Sequence, residues 1–423
     1  MLKTLISLKG REKHTFTLAM WAYMFNGMVV GILILQEVIL KKTFGGSALE
    51  ITILTMIMPV SNLFSIYLAP LIKRTARKAV LFYIIGIAGR FSLIFISLIN
   101  SGIPFIAILF IYYAFNALFN PLINHMIQVN ISDNKRGMLF GFMNALSTLT
   151  ALVISLLAGL VLDMNENFYR IIFAAGAITG LYSAYLFSRI RINKKRLTDN
   201  ALLFVSSRDI MYPVKNMIHI FRQDPYYFFF ESSFFIYGLG FISILPALPI
   251  YFVDVMGMDY SQISIAKGVV GQLFMVLIMP FAGRFHDRSN PILLSSAVFF
   301  ILALYPLILI IAPMSMIIEP VHFVYLSFLV YSLAMSGVII VWNLGSIFFA
   351  GNNHASDYQS IHITLTGVRG LIAPFIGLFV MKVFGVFYVF YLSSAFFLMA
   401  GISMMMLSFF YRRKQRGKSP AVQ

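Results

Sequence analysis

Cysteine is absent from the 423 residues, and charged side chains make up only 11% of them. The first absence excludes disulfides, thiol nucleophiles and thiolate metal sites, though it says little about compartment. The second sets the chain apart from soluble domains, in which roughly 25% of residues are charged. No Walker-type glycine loop, paired-histidine metal spacing or nucleophile–base set occurs, so no enzyme activity, cofactor or metal is expected. His125 and His362 are lone histidines. A cleavable signal is also missing. The start, "MLKTLISLKGREKH", is basic, lacks a small-residue cleavage site and runs into an apolar stretch of full spanning length.

What the chain has in abundance is apolar side chains. Hydrophobic residues make up 60%, with 43 Phe and 24 Met, and mean hydropathy is +0.87. Apolar runs of about twenty residues recur, each long enough to cross ~30 Å of hydrocarbon. The expected fold class is an all-α polytopic membrane protein. Its twelve spans fall near 15–38, 48–71, 79–99, 103–128, 137–161, 168–189, 225–251, 260–283, 291–313, 320–348, 358–381 and 386–411.

With the N-terminus inside, 25 of the 32 Lys and Arg fall in cytoplasmic segments. Lys41, Lys42, Arg170 and Lys382 fall outside, and Arg90, Lys267 and Arg369 lie within spans. Acidic residues divide evenly between the two sides, and Glu231 alone sits within a span. The net charge of +17 is therefore a positive-inside signal. It puts both termini in the cytoplasm and leaves no case for nucleic acid. The tail "YRRKQRGK" reads as a stop signal attracted to anionic lipid.

One long polar interruption divides the chain. Residues 1–190 form a six-span bundle, 191–224 a cytoplasmic linker, and 225–423 a second six-span bundle with a basic tail. The halves echo each other: "FGGSALEI" aligns with "MGMDYSQI", and "SDNKRGMLFG" with "SDYQSIHITL". The shared order of spans and loops is the stronger sign of a duplicated six-helix unit.

Between spans 8 and 9, "GRFHDRSNP" sets Gly283, Asp287 and Arg288 at a Gly-x-x-x-Asp-Arg spacing. Between spans 2 and 3, "APLIKRTARK" keeps Arg74, Arg77 and Lys78. It has Ala69 and Ala76 at the glycine positions and Lys73 at the aspartate position. With two halves of six spans, cytoplasmic termini and a basic central loop, the chain resembles the major facilitator superfamily of secondary transporters. The resemblance implies that both loops are cytoplasmic gating loops. Because Lys73 replaces the aspartate, the copy at Gly283 carries more of the latch. Span 4 lacks the family's "RxxxG" arginine and span 5 lacks its Gly-Pro motif, whereas "GVRGLIAPFIG" in span 11 carries a similar Gly/Pro element. The resemblance also implies a solute cavity lined by spans 1, 4, 7 and 10, with 2, 5, 8 and 11 contributing. Spans 3, 6, 9 and 12 are expected to support.

Several polar residues are candidates for transport. Arg369 lies ~18 Å into span 11, near the midplane, where an arginine costs at least ~2.5–3.5 kcal/mol. His362 and Thr366 precede it by seven and three residues and share its helical face. Anion binding, gating, a structural ion pair and a cap onto helix-end carbonyls are all open for Arg369, as are binding or coupling, pairing and snorkelling for Lys267 in span 8. Arg90, in outer span 3, is expected to make a structural pair or an inter-bundle contact. In span 4, Tyr112, Asn116, Asn120, Asn124 and Gln128 recur every four residues as a polar stripe, with Pro121 within it. The stripe serves either solute hydrogen bonding or helix–helix contact. Asn26, Trp342 and Asn343 in spans 1 and 10 add to the cavity. Proton coupling in this fold uses a membrane carboxylate or histidine, so Glu231, Glu37 and His362 are the coupling candidates.

The expected function is transport of a small solute by alternating access in the cell membrane, extending to an organic anion and to proton coupling. The expected partners are that solute and the lipid bilayer, with the protein a monomer. Two alternatives stay open: an exporter of amphipathic compounds or lipids, and a non-transporting receptor or assembly factor.

Overall fold

The computed structural model describes residues 8, 10–74, 78–191, 212–288, 290–316, 318–350 and 355–418, and every regular element among them is helical. Ten stretches are long and apolar enough to cross a membrane. They are Gly10–Lys42, Lys78–Leu98, Met138–Met164, Glu166–Ser188, Pro225–Val255, Tyr260–Phe285, Pro291–Met314, Pro320–Ala350, Tyr358–Phe384 and Val386–Arg413. Shorter apolar helices, Ala48–Ser61 and Gly102–Asn116, stand in the regions of spans 2 and 4. The second of these breaks at residues 117–118 and resumes as Phe119–Asn130. In the expected linker, residues 192–211 lie outside the described residues.

Local chemistry sets the helix ends. Asp224 accepts from the Tyr227 N–H at 3.1 Å ahead of Pro225, and Asn290 accepts from the Ile292 N–H at 2.9 Å ahead of Pro291. Both follow the rule that a short polar side chain satisfies a free N–H while proline tolerates the first turn. Gly385, at φ +101°, separates the last two helices with a backbone that other residues rarely adopt.

The chain divides into two compact units, Met1–Phe204 with Asp259–Gly268, and Val205–Met258 with Val269–Gln423. In the first, helix α1 (Gly10–Leu33) packs on helix α2 (Asp133–Met164) and helix α3 (Tyr169–Ser188). The α1–α2 crossing is close because Gly27 and Gly31 face the backbone of Ser147 and Ala151, where a Cβ would collide. An aromatic core stands beside it, with Phe82 stacked on Phe187 at 5.3 Å and Phe119 edge-on to the same ring. Residues 259–268 join this unit through specific bonds. The Asp163 carboxylate accepts from the N–H groups of Tyr260 and Ser261 at 2.7 and 2.9 Å, and Ser264 donates to the Ser155 carbonyl at 2.9 Å.

In the second unit, helix α4 (Pro225–Ser243) packs against helix α5 (Ala355–Phe384) and helix α6 (Val386–Lys418). Tyr237 stacks on Phe299 at 4.7 Å, and a Cβ at Gly377 would meet the Ser243 backbone. Departures from α geometry are local. Ile85–Arg90 and Ile265–Leu273 are π-helical, and Phe91–Leu98 is a 3-10 helix. Tyr251–Val255 is a third π-helical stretch; such wide or tight turns commonly mark functional positions, and Arg90 and Lys267 sit in the other two.

Candidate functional site

In the second unit, α4 and α5 bring Glu231, His362, Thr366 and Arg369 together. His362 Nδ1 lies 2.9 and 3.0 Å from the two Glu231 carboxylate oxygens, with side-chain exposures of 1% and 2%. Phe234 and Trp342 approach the imidazole edge-on, at 5.1 and 5.4 Å. Arg369 lies further along the same face of α5. Its Nη1 donates to the Phe234 carbonyl, and its Nη2 donates to Thr366 Oγ1 at 3.0 Å. Thr366 in turn donates to the His362 carbonyl at 2.9 Å, so the face is tied along its length. The guanidinium also sits 5.7 Å from the Tyr237 ring centre.

Gly238 makes this possible. A Cβ there would overlap the Arg369 side chain, so only glycine leaves the groove in α4 that the guanidinium fills. Two buried nitrogens, His362 Nε2 and Arg369 Nε, have no hydrogen-bond partner among the described residues. Arg369 therefore meets a backbone carbonyl and a hydroxyl, while the nearby carboxylate is held by the histidine.

The first unit holds two further cations. Lys267 forms an ion pair with Glu37 at 2.9 Å and donates to the Ile34 carbonyl at 2.8 Å. Gln36 extends the chain, donating to Glu37 at 3.1 Å and accepting from Tyr113 at 3.0 Å. This pair is about one-fifth exposed on each side, so it is much less desolvated than Glu231–His362.

Arg90 is wholly buried, and among the described residues it has no carboxylate partner. Its Nη1 donates to Ser183 Oγ at 2.9 Å and to the Gly180 carbonyl at 3.4 Å. Its Nη2 donates to Asn26 Oδ1 at 2.7 Å and Asn116 Oδ1 at 3.3 Å. The Phe119 ring covers it at 4.0 Å, an attraction that strengthens when water is excluded. Among the described residues the structural partners of this charge are neutral acceptors and a π face, and all of them belong to the first unit.

Asn343 is exposed and donates to the Ile339 carbonyl one turn back, at 2.7 Å. Gly283 has only ordinary space around it, with the nearest atom 3.9 Å from a notional Cβ. The side chains of Lys73, Arg74, Asn120, Pro121, Asn124, His125, Gln128, Asp287 and Arg288, and all of Arg77, lie outside the described residues. Sequence reasoning does not single out Gly238 or Ser183. Gly238 carries a usable signal, because Glu231, Phe234 and Gly238 follow at i, i+3 and i+7 on one face of α4. Ser183 carries none.

The family model described as Major Facilitator Superfamily matches residues 16–368. No curated protein sequence matches the chain. Among solved structures, a point mutant of the nucleoside transporter NupG superposes with a TM-score of 0.71 at 11% identity, covering 93% of this chain and 99% of its own. The D-xylose-proton symporter gives 0.67 at 14% identity, covering 93% and 97%. A bacterial homologue of the human lysosomal transporter Spinster gives 0.62 at 12% identity, covering 98% and 100%. At these identities the likeness is one of fold.

Proposed function

The chain belongs to the major facilitator superfamily, and we propose that it is a secondary transporter that couples proton movement to a small organic anion by alternating access in the cell membrane. Twelve spans, cytoplasmic termini, two bundles joined at 191–224 and a monomeric state belong to the same reading. The structural neighbours carry a nucleoside and D-xylose with a proton, which supports a small polar solute; the negative charge is inferred from the buried cations of this chain.

The observation that carries the coupling is the Glu231–His362 pair. A carboxylate and an imidazole 2.9 Å apart are almost wholly buried, and the second imidazole nitrogen has no partner among the described residues. A proton taken up at Nε2 turns a neutral imidazole beside a carboxylate into an imidazolium–carboxylate pair. With Arg369 on the same helical face, the formal charge of the cluster then rises from zero to plus one. A nearby anion is held more strongly in that state, and by linkage a bound anion favours the proton.

The test is solute-driven proton entry into proteoliposomes loaded with a pH-sensitive dye. Uridine, D-xylose, dialanine, succinate and glycerol phosphate are supplied in turn. One of the anions is expected to acidify the lumen. Glu231→Gln and His362→Gln are each expected to abolish acidification while retaining exchange of labelled for unlabelled solute. Acidification that survives in Glu231→Gln removes the pair from coupling. A response to mixed apolar cations in place of the anions favours export of amphipathic compounds, and binding without flux favours a receptor.

A further inference from the structure

The first unit carries a buried cation that the coupling pair does not use. Arg90 is fully buried and, among the described residues, has no carboxylate partner and leaves its Nε unpartnered. A guanidinium only donates hydrogen bonds, so the atoms of Asn26 and Asn116 that face it must be the carbonyl oxygens, whichever way each amide is drawn. Both oxygens are bound to the same Nη2, at 2.7 and 3.3 Å, so they lie within about 6 Å of each other. Each amide nitrogen is thereby turned away from Arg90. Among the described residues neither nitrogen has a protein acceptor, and both asparagines are only partly buried. Ser183 is fixed by a second bond, donating to the Ala22 carbonyl at 2.8 Å, so the guanidinium cannot swing away cheaply.

Two partly buried amide donors turned from a full positive charge form one kind of surface. In hydrocarbon these N–H groups are left unsatisfied at a cost of several kcal/mol. In a watery or solute-filled space they bind acceptors. We propose that Asn26 and Asn116 form an anion subsite in the first unit that binds the carboxylate or phosphate oxygens of the solute, with Arg90 as the positioning residue that aims both amides and supplies the charge. The proposal rests on the reading of the chain as a solute transporter. It assigns the first unit's contact with the anionic group to these amides, and it leaves Lys267 to its protein partners.

The cysteine-free sequence permits a test that needs no identified solute. Single variants Asn26→Cys and Asn116→Cys each retain the other amide, and monodisperse elution checks their folding. Each is reacted with the anionic reagent 2-sulfonatoethyl methanethiosulfonate and with its cationic trimethylammonium counterpart. The rates are normalised to those of free 2-mercaptoethanol. A unit charge ~6–8 Å away at an effective dielectric of ~20–40 gives a preference of about tenfold or more for the anionic reagent. Arg90→Gln is expected to remove that preference, and Arg90→Lys to restore part of it. Protection by succinate alone identifies a carboxylate, and protection by inorganic phosphate alone a phosphate.

Reaction with neither reagent is the result if the amides face lipid, and it overturns the proposal. So does cationic preference in the native Arg90 background, which stands even if Arg90→Gln does not fold, and so does protection by neither anion. Proton entry driven by solute is measured without these cysteines. A chain that transports yet shows no anionic preference loses the subsite and keeps the function.

Discussion

Each unit of the molecule buries an arginine among helices, and the two are stabilised in different ways. Arg90 lies in a π-helical turn, takes four neutral oxygens from three other helices and rests against the Phe119 ring. Arg369 lies in a regular α-helix, fills a groove at Gly238 and binds a backbone carbonyl and a hydroxyl, with the Glu231–His362 pair on the same face. The physical problem is the same: a buried guanidinium loses water and must recover that hydration energy from fixed dipoles or an opposite charge. Neutral acceptors leave the first cluster with a formal net positive charge. The second sets an acid and a base on the helices that hold its arginine. Under the function proposed above, the first arrangement holds the anion and the second couples the proton.

The sharpest way to break the contrast is steric. Gly238→Val places atoms where the Arg369 side chain lies and forces a buried cation off its partners, at ~3–5 kcal/mol. The expected result is a large fall in the melting temperature of the detergent-purified protein or loss of monodisperse elution. Gly180→Ala is the matching change in the first unit. Its Cβ would stand 3.1 Å from Arg90 Cβ and 3.2 Å from Val29 Cγ2, a crowding that costs only ~1–2 kcal/mol. Equal costs at the two glycines would mean that both arginines are equally confined.

Removal of an ionisable group comes next. Glu231→Ala leaves His362 and Arg369 without a carboxylate, so a loss of ~3–4 kcal/mol is expected in thermal or denaturant melting. Arg90→Met strands only neutral acceptors, two of which are partly exposed, and should cost ~1–3 kcal/mol. If Arg90→Met proves the more harmful, an acidic partner to Arg90 has been missed.

The aromatic faces offer a finer comparison. Phe119→Leu, which removes a ring 4.0 Å from the Arg90 guanidinium, should cost ~1–2 kcal/mol through the cation–π contact. Tyr237→Leu removes a ring at 5.7 Å and should lose less on that account, measured as the coupling energy in a double-mutant cycle with each arginine. The smallest effect is expected at Lys267–Glu37. Both side chains are about one-fifth exposed, so Lys267→Gln should shift stability by ~1 kcal/mol or less.

Much of this is legible in the chain itself. The helical class follows from long apolar runs, and the face shared by His362, Thr366 and Arg369 follows from spacings of three, four and seven along a helix. Asn26 and Asn116 stand out as amides within apolar spans that need partners. The partners themselves are not legible. Arg90 draws on residues 26, 64, 90 and 93 positions away, Glu231 and His362 are 131 apart, and Lys267 reaches Glu37 across 230. The helix geometry at 85–98 is also hidden, because "IGIAGRFSLIFISL" has no proline and reads as an ordinary apolar span. Asn343 shows a local bond that spacing alone does not reveal. Its amide folds back onto the carbonyl one turn earlier with one of its N–H groups.

The sequence alone determined what the surrounding solvent permits. Sixty per cent apolar residues in spanning runs require helices, and three cations within the spans must find acceptors. Which acceptors they find was decided only by the tertiary structure. Hydrogen bonds and ion pairs act over a few ångströms, and the helices that bring Asn26 to Arg90, or Glu231 to His362, are placed by packing along whole faces. Gly238 shows the difference most plainly: in the chain it is one glycine of 28, and in the fold it is the space that Arg369 occupies.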